Sequence, residues 1–255
     1  QFTETSDTGL DGFEVGQHAA QPTFVNVEHV ATDSFVFHSF LSLFFGTNEQ
    51  NVFALSCYFT DEVVSFVNFF NGFLQVDDVD TVTFGENVLQ IPGNIFYGCK
   101  SLTDIIIPES VTSIGNNAFR RCANLININI PQNVTIIGTF AFSECVSLNS
   151  VVLPEGVTTI SSYMFSGCTS LKSVSIPKSA TVISNNVFQG CSGLNSINIP
   201  ENVNSIFQYA FEGCTSLMDI SIPEKVDYIG DYVFSGCTSL EKLNIYEGIT
   251  SIGAY

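Results

Sequence analysis

Apolar and polar positions along the C-terminal two thirds of the chain follow a pattern that returns every 23 residues. Four residue types keep this step, and each forms a column with six or seven members. The Cys column consists of Cys99, Cys122, Cys145, Cys168, Cys191, Cys214 and Cys237. The Phe column begins at Phe96, the Leu column at Leu102 and the Pro column at Pro108. A fixed period of this length indicates a repeat protein whose units share one local structure.

Each unit is predicted to contain one short β-strand and a return path. The segment at 102–107 has the alternation of a strand, with its first and third Ile on one face. Pro108 ends the strand because it has no N–H to give to a ladder. On the return path Val111 and Ile114 are predicted to point inward, and the Ala-Phe pair at 118–119 predicts a short turn of α- or 3₁₀-helix.

One unit cannot bury its apolar face alone, so neighbouring units are expected to stack. Their strands then lie side by side in parallel, about 4.8 Å apart. The predicted fold is a curved solenoid with short parallel strands on the concave side and short helical turns on the convex side. The pattern extends back to Val79, which gives seven full turns and a partial turn from Leu240.

The motifs within each unit resemble those of one repeat family. An L-x-x-L-x-L core with Pro directly after it is followed by V-x-x-I and by A-F-x-x-C-x-x-L, here Ala118, Phe119, Cys122 and Leu125. This combination is similar to the BspA-like, or Treponema-type, leucine-rich repeats, over about residues 79–255. The resemblance implies a leucine-rich-repeat solenoid of the α/β type, wound as a right-handed superhelix. It also implies association with the cell surface, adhesion to host matrix proteins or other cells, and protein–protein recognition.

Three regions are predicted along the chain. Residues 1–22 are polar and rich in Gly, Asp and Thr, which predicts a flexible N-terminal arm. Residues 23–75 carry short strand-like runs, which predict a β-rich N-terminal cap or degenerate repeats, with an independent small β domain as the alternative. Residues 76–255 form the repeat array. Because the sequence stops inside a unit, the array is expected to continue, or its open C-terminal end to be covered by another molecule.

The charge balance excludes several classes of partner. Seven Lys and Arg against 25 Asp and Glu give a net charge of −18, so a nucleic-acid partner is not expected, because binding to phosphate needs cations. Anionic lipid surfaces are excluded for the same reason. No apolar run reaches the roughly 20 residues of a membrane-spanning helix. The chain begins at Gln1 without a signal-peptide pattern, so a mature or trimmed product is expected.

The period-23 cysteines are predicted to be small buried residues that keep free thiols. Stacking could bring neighbouring Cα atoms near disulfide distance, which leaves inter-repeat disulfides as the alternative. No C-x-x-C pair occurs, so a metal site built on these residues is not expected. Cys57 lies outside the column, and the pattern assigns it no role.

The sequence gives little support for catalysis, and a non-enzymatic protein without cofactors is expected. Cys57 with His38 is a conceivable nucleophile and base, but no motif surrounds them. Asp77, Asp78 and Asp80 form an acidic cluster with the oxygen ligands that Ca²⁺ prefers, but not with the spacing of a known loop. A solvated turn is the preferred interpretation of this cluster.

The outward positions of the predicted strands form the candidate binding surface, which we call the L-strand face. They are small and mostly uncharged, so they predict either a polar platform for a protein or a glycan, or ladders of side chains that hydrogen-bond along the solenoid. The candidate binding residues are Asn129, Ser175, Asn198, Ser221 and Asn244, flanked by Asp219 and Lys242. The position after Pro is largely acidic, which favours a basic partner.

Modification is conceivable on the return path, where a column of Thr includes Thr112, Thr135, Thr158 and Thr181. Such a row suits either a hydrogen-bonded ladder or O-glycans on a secreted protein. Asn133 opens the sole N-glycosylation sequon, Asn133-Val134-Thr135.

Two functional hypotheses remain from the sequence. The first is an extracellular or cell-surface leucine-rich-repeat protein that binds a protein or glycan, or mediates adhesion, through the concave L-strand face. The second is a structural subunit that self-associates end to end through the open C-terminal end, giving a filament or surface assembly.

Overall fold

The computed structural model describes Phe84 and residues 88–254. The predicted arm, the predicted N-terminal cap, Cys57, all three histidines and the acidic cluster at 77–80 lie outside the described residues.

Short strands recur twice in most units of the described array. These strands are β1 (Gln90–Ile91), β2 (Ser113–Ile114), β3 (Ile136–Ile137), β4 (Ser150–Val152), β5 (Thr159–Ile160), β6 (Ser173–Ser175), β7 (Val182–Ile183), β8 (Ser205–Ile206), β9 (Asp219–Ile222), β10 (Tyr228–Ile229), β11 (Lys242–Ile245) and β12 (Ser251–Ile252). Their pairings are parallel, and paired residues are one repeat apart, as in Val151 with Val174 and Ile91 with Ile114. The predicted stacking of identical units in a parallel solenoid is therefore confirmed.

The L-x-x-L-x-L segments form the predicted ladder of strands. β4 pairs with β6, and β9 pairs with β11. Single bridges continue the ladder between them and towards the N-terminus, joining Ile106 with Asn129, Asn127 with Ser150, and Ser196 with Asp219.

A second ladder lies on the return path. It consists of the sheet β1-β2-β3 and the sheet β12-β10-β8-β7-β5. The inward placement of Val111 and Ile114 was predicted and is confirmed, since both are buried. Their assignment to a strand was not predicted, because two residues per unit are too few for strand alternation to be recognised.

The apolar columns meet in one continuous core. The rings of the Phe column stack from Phe96 to Phe234, with successive centroids 5.2–5.9 Å apart and interplanar angles of 6–17°. This spacing is close to the distance between parallel strands, so each ring covers the ring of the next unit. A unit in the middle of the array thus shares both faces of its Phe with its neighbours.

The predicted helical turn is replaced by a hydrogen-bonded turn, and the described residues contain no helix. Each turn holds two residues with left-handed backbone, such as Asn117 (φ 55°) and Arg121 (φ 64°), which a continuous helix does not accommodate. Backbone donors reach the next unit instead, as the Phe119 N–H does to the carbonyl of Ala141 at 2.8 Å. We call the surface formed by residues 93–98 and their period-23 equivalents the turn face.

Candidate binding surfaces

The L-strand face is exposed along its length. Every residue predicted from the sequence to bind lies with its side chain in solvent, and the strand pairing aligns them in two rows. One row contains Asn129, Ser175, Asn198, Ser221 and Asn244, and the other contains Asp219 and Lys242. One contact between neighbours ties the first row together, where Asn244 Nδ2 donates to Ser221 Oγ at 3.0 Å. The residues are therefore placed as expected, while their role in binding stays a prediction.

The N-terminal half of the same face carries an apolar patch. Ile106 is 83% exposed and Val152 is 61% exposed, and they flank Asn129 in the outward row. Ile126, in the segment between them, is also exposed. We call Ile106, Ile126 and Val152 the apolar patch. The patch could have been predicted from the sequence, since Ile106 and Val152 interrupt a column of Asn and Ser. The prediction of a polar platform did not take these two residues into account.

The Thr column on the return path forms a ladder. The hydroxyl of Thr181 donates to the carbonyl of Thr158 at 3.2 Å, and that of Thr250 donates to the carbonyl of Asp227 at 2.9 Å. Thr112 makes the corresponding bond to Leu89 at 3.1 Å. These hydroxyls join neighbouring units, which supports the structural interpretation of the column.

Asn133, the candidate glycosylation residue, also makes a hydrogen bond to a backbone carbonyl of the preceding unit. Asn133 is exposed, and its Nδ2 donates to the carbonyl of Glu109 at 2.7 Å. Asn202 makes the equivalent bond to Lys178 at 2.9 Å without belonging to a sequon. The same hydrogen bond thus forms at Asn202, which cannot carry an N-glycan, so the bond of Asn133 is part of the repeat structure.

The Cys column is a ladder of buried thiols. Each Sγ from Cys122 onward donates to the carbonyl of the Phe in the preceding unit, for example Cys168 to Phe142 at 3.1 Å and Cys191 to Phe165 at 3.1 Å. Burial raises the pKa of the Cys168 thiol to about 12, and it raises the pKa of the Cys145 and Cys191 thiols well above their usual range. Thiols in this state are poor nucleophiles and poor metal ligands, because both roles need the thiolate. The Cys column is therefore a packing element.

Two adjacent arginines form ion pairs with one glutamate on the turn face. Arg120 Nη2 lies 2.9 Å from Glu144 Oε1, and Arg121 Nε lies 2.9 Å from Glu144 Oε2. Desolvation opposes ionisation of Glu144, but the two guanidinium groups outweigh it and lower the pKa of this carboxyl. Arg121 and Glu144 occupy a left-handed position that Gly holds in the neighbouring units at 98 and 167. Arg121 and Glu144 thus depart from the repeat at the same position in two neighbouring units, and they contact each other.

Metal chemistry finds no support in the described part of the chain, where no cluster of three or more His, Cys, Asp or Glu could hold an ion. The same residues contain no helix long and apolar enough to cross a membrane.

The repeat can be compared with known proteins. A family model described as BspA type leucine rich repeat region matches residues 70–192 and 158–255 in six copies. This chain belongs to that family. Leucine-rich-repeat solenoids of this kind are generally non-enzymatic scaffolds that bind proteins.

Solved structures of bacterial leucine-rich-repeat proteins resemble this one. A protein of T. pallidum is 35% identical, with a TM-score of 0.60 over 63% of this chain and 78% of its own. A protein of Bacteroides ovatus is 26% identical, with a TM-score of 0.48 over 70% of this chain and 63% of its own. A protein of Faecalibacterium prausnitzii described as a leucine rich cell surface protein is 28% identical, with a TM-score of 0.40 over 69% of this chain and 62% of its own. The chain thus spans less than two thirds of the last two, and the comparison with curated proteins finds no match.

Proposed function

We propose that this chain is a non-enzymatic recognition protein of the cell surface or extracellular space, and that it binds a partner protein through the L-strand face. The observation that carries the proposal is the apolar patch at Ile106, Ile126 and Val152, set at one end of an exposed row of Asn and Ser. Membership of the BspA-type family is consistent with both the location and the role.

The composition of the face favours a protein over a glycan. Protein interfaces combine an apolar centre with a polar rim, and the patch beside the Asn and Ser row has this arrangement. Aliphatic side chains such as Ile106 and Val152 offer no aromatic ring on which a sugar could stack. The short side chains of the row lose little rotamer entropy when a partner packs against them.

The charges around the face favour a basic partner. Exposed Glu residues follow the strand in most units, among them Glu109, Glu155 and Glu201. Only a few charged residues lie on the face itself, so electrostatic steering of the partner and the salt dependence of binding are expected to be weak.

A binding panel tests the proposal. The whole chain is passed over immobilised fibronectin, fibrinogen, laminin and collagen in biolayer interferometry, with and without the double change Asn198→Arg and Ser221→Arg. Two long cations placed on the face should weaken binding by about tenfold or more, a loss of roughly 1.4 kcal/mol, while the melting temperature stays unchanged because both positions are exposed.

The matched control carries Thr158→Arg and Asn204→Arg, two exposed positions that directly precede strands β5 and β8 of the second ladder. It adds the same charge away from the face and should bind like the parent chain. The panel takes matrix proteins as the partner class that the family resemblance implies, and a parent chain that binds none of the four would contradict the proposal for that class. Binding that survives the double change, but is lost when residues 23–75 are altered, moves the site to the N-terminal region.

A further inference from the structure

One column of the turn face carries four aromatic rings, three of them half-buried and one exposed. Its seven members have nearly the same left-handed backbone, with φ between 55° and 60°, so their side chains leave the solenoid in the same direction. The members are Asn94, Asn117, Phe140, Tyr163, Asn186, Tyr209 and Tyr232. Phe140 stacks on Tyr163 with centroids 4.3 Å apart, and Tyr209 stacks on Tyr232 with centroids 5.1 Å apart. These distances are close to one unit step, so the ring faces point along the solenoid axis.

Asn186 makes a notch in the middle of this column. Tyr163 and Tyr209 stand one unit before it and one unit after it, roughly 10 Å apart at the strand spacing. The Asn side chain is shorter than a Tyr side chain. The outer parts of the Tyr163 and Tyr209 rings therefore face each other above Asn186. We call Tyr163, Asn186 and Tyr209 the notch.

The floor of the notch is the side-chain amide of Asn186. Asn186 is 6% exposed, and within the described part of the chain its side-chain amide makes no hydrogen bond. The residue before it, Asn185, has a side-chain oxygen that is buried and makes no hydrogen bond, which is costly. The polar atoms of Asn186 are not among the fully buried, unpaired atoms of the described residues, so its amide can offer a hydrogen bond to a polar group that comes from outside the chain.

The same column shows which group fits. At Asn117, three units earlier, an Asn again adjoins an aromatic ring, and there the chain fills the space itself. The Arg120 guanidinium lies over the Phe140 ring at 4.7 Å from its centroid, and Arg120 Nη1 donates to Asn117 Oδ1 at 3.5 Å. A guanidinium therefore satisfies both the ring and the amide of this arrangement.

The equivalent of Arg120 beside Asn186 is Gln189, whose side chain makes hydrogen bonds to other residues. Gln189 Nε2 donates to Glu212 Oε2 at 2.6 Å, and Gln189 Oε1 accepts from Ser166 Oγ at 3.4 Å. The amide of Asn186 is left unpaired as a result. The carboxylate of Glu212 adds negative charge next to Tyr209, in a chain whose net charge is −18.

We propose that the notch binds the guanidinium group of an arginine side chain presented by a partner protein. The group lies between the faces of Tyr163 and Tyr209, donates a hydrogen bond to Asn186 Oδ1, and is attracted by Glu212. Two ring faces roughly 10 Å apart leave each about 5 Å from the cation, close to the distance at Phe140 and within the range of cation–π contacts. This site is on the turn face, so it does not depend on binding at the L-strand face.

A peptide titration tests the assignment. The isotope-labelled whole chain is titrated in NMR with the blocked peptide Gly-Gly-Arg-Gly-Gly, and with the same peptide carrying Lys or citrulline in the central place. The Arg peptide should shift the side-chain amide signal of Asn186, which is identified by its loss in Asn186→Gly. The Lys peptide should bind more weakly, and the uncharged citrulline peptide should bind at least about tenfold more weakly than the Arg peptide.

Two variants separate the notch from the rest of the surface. Tyr209→Asn introduces a residue type that already occupies the left-handed conformation elsewhere in the column. It should weaken binding of the Arg peptide by about tenfold. Tyr228→Ala removes a ring outside the column and should leave the shift unchanged. Citrulline binding equal to that of Arg, or shifts that survive Tyr209→Asn, would overturn the proposal. Free arginine bound more tightly than the peptide would overturn the assignment to a partner's side chain.

The substitution Gln189→Arg gives an independent test within the chain. By analogy with Arg120, the new side chain should enter the notch, abolish the peptide-induced shift of Asn186 and leave the chain folded. A folded Gln189→Arg variant that binds the Arg peptide as the parent does would contradict the proposed geometry.

Discussion

At the scale of single residues, the Cys column illustrates how a repeat can predict burial but not bonding. Seven cysteines at one step indicate a small side chain packed in the same place in each unit. The structure adds a hydrogen bond from the thiol to a neighbouring carbonyl, such as Cys145 to Phe119 at 3.0 Å. Ser would offer the same bond with a more strongly hydrated hydroxyl, whereas Cys combines an apolar surface with a weak donor.

The buried thiols make stability depend on alkaline pH. Unfolded cysteines ionise near pH 8.5, whereas burial raises the pKa of Cys168 in the fold to about 12 and raises the pKa of Cys145 and Cys191 well above their usual range. A thiol with a raised pKa stabilises the fold below the unfolded pKa and loses this contribution as the pH rises towards the folded value. The free energy of unfolding, measured by denaturant titration under reducing conditions, should fall above about pH 8.5, by about 1.4 kcal/mol per pH unit for each such thiol.

The control for this prediction is Cys168→Ala. Tyrosines and lysines titrate in the same range in both proteins, so the difference between the two slopes isolates one thiol. The slope of the variant between about pH 9 and 11 should be shallower by about 1.4 kcal/mol per pH unit. Equal slopes would show that Cys168 is not buried as a protonated thiol.

The left-handed column of the turn face could not be anticipated residue by residue. Asn is tolerated at positive φ, which suits Asn94 and Asn117, but Phe140 and Tyr163 occupy the same conformation. Sequence preferences alone would place neither ring there. The conformation is set by the hydrogen bonds between units, and those follow from stacking rather than from the local sequence.

At the scale of elements, the strand within each L-x-x-L-x-L segment is well specified because alternation and Pro agree. Its first inward position hardly varies in type, since the residues at 105, 128, 151, 174, 197 and 220 are all Ile or Val and all buried. The return strand is specified by packing alone. Its two residues per unit gain regular pairing only from the units on either side, so the sequence predicted its inward residues but not its sheet.

The substitution Ile176→Asp tests how far a unit depends on its neighbours. Ile176 is 7% exposed, so the change places an unpaired carboxylate in the core, at a cost of several kcal/mol. Because stability in a stacked array comes largely from the interfaces between units, several turns should unfold together. Circular dichroism and limited proteolysis should show a loss of structure larger than one unit.

Its matched control is Ser175→Asp, one residue away on the exposed side of β6. That variant should melt like the parent chain. An unchanged melting profile for Ile176→Asp would contradict its inward placement, and cleavage confined to one unit would contradict the coupling between units.

At the scale of the whole molecule, the period alone was enough to predict the solenoid, its parallel pairing and its core, because the same residue types return at the same step. The surface was less predictable. Asn198 and Ser221 could be placed on an outward row, but the apolar patch depends on single departures from the repeat at Ile106, Ile126 and Val152. The amide of Asn186 is similar, since only side-chain contacts distinguish it from Asn117. Stacking through the C-terminal end stays a prediction from the sequence.

The most direct test of the central claim, recognition through the L-strand face, is the affinity of the whole chain after removal of the apolar patch. The double change Ile106→Ser and Val152→Ser should leave the melting temperature unchanged, because both side chains are exposed, and should weaken binding to the matrix protein selected by the panel by about tenfold or more. Leu89→Ser and Ile136→Ser remove two exposed apolar side chains, 63% and 64% exposed, the first directly before β1 and the second within β3 of the second ladder. This variant should bind like the parent. Equal affinity of the patch variant and the parent, or a larger loss in the second-ladder variant, would contradict the account.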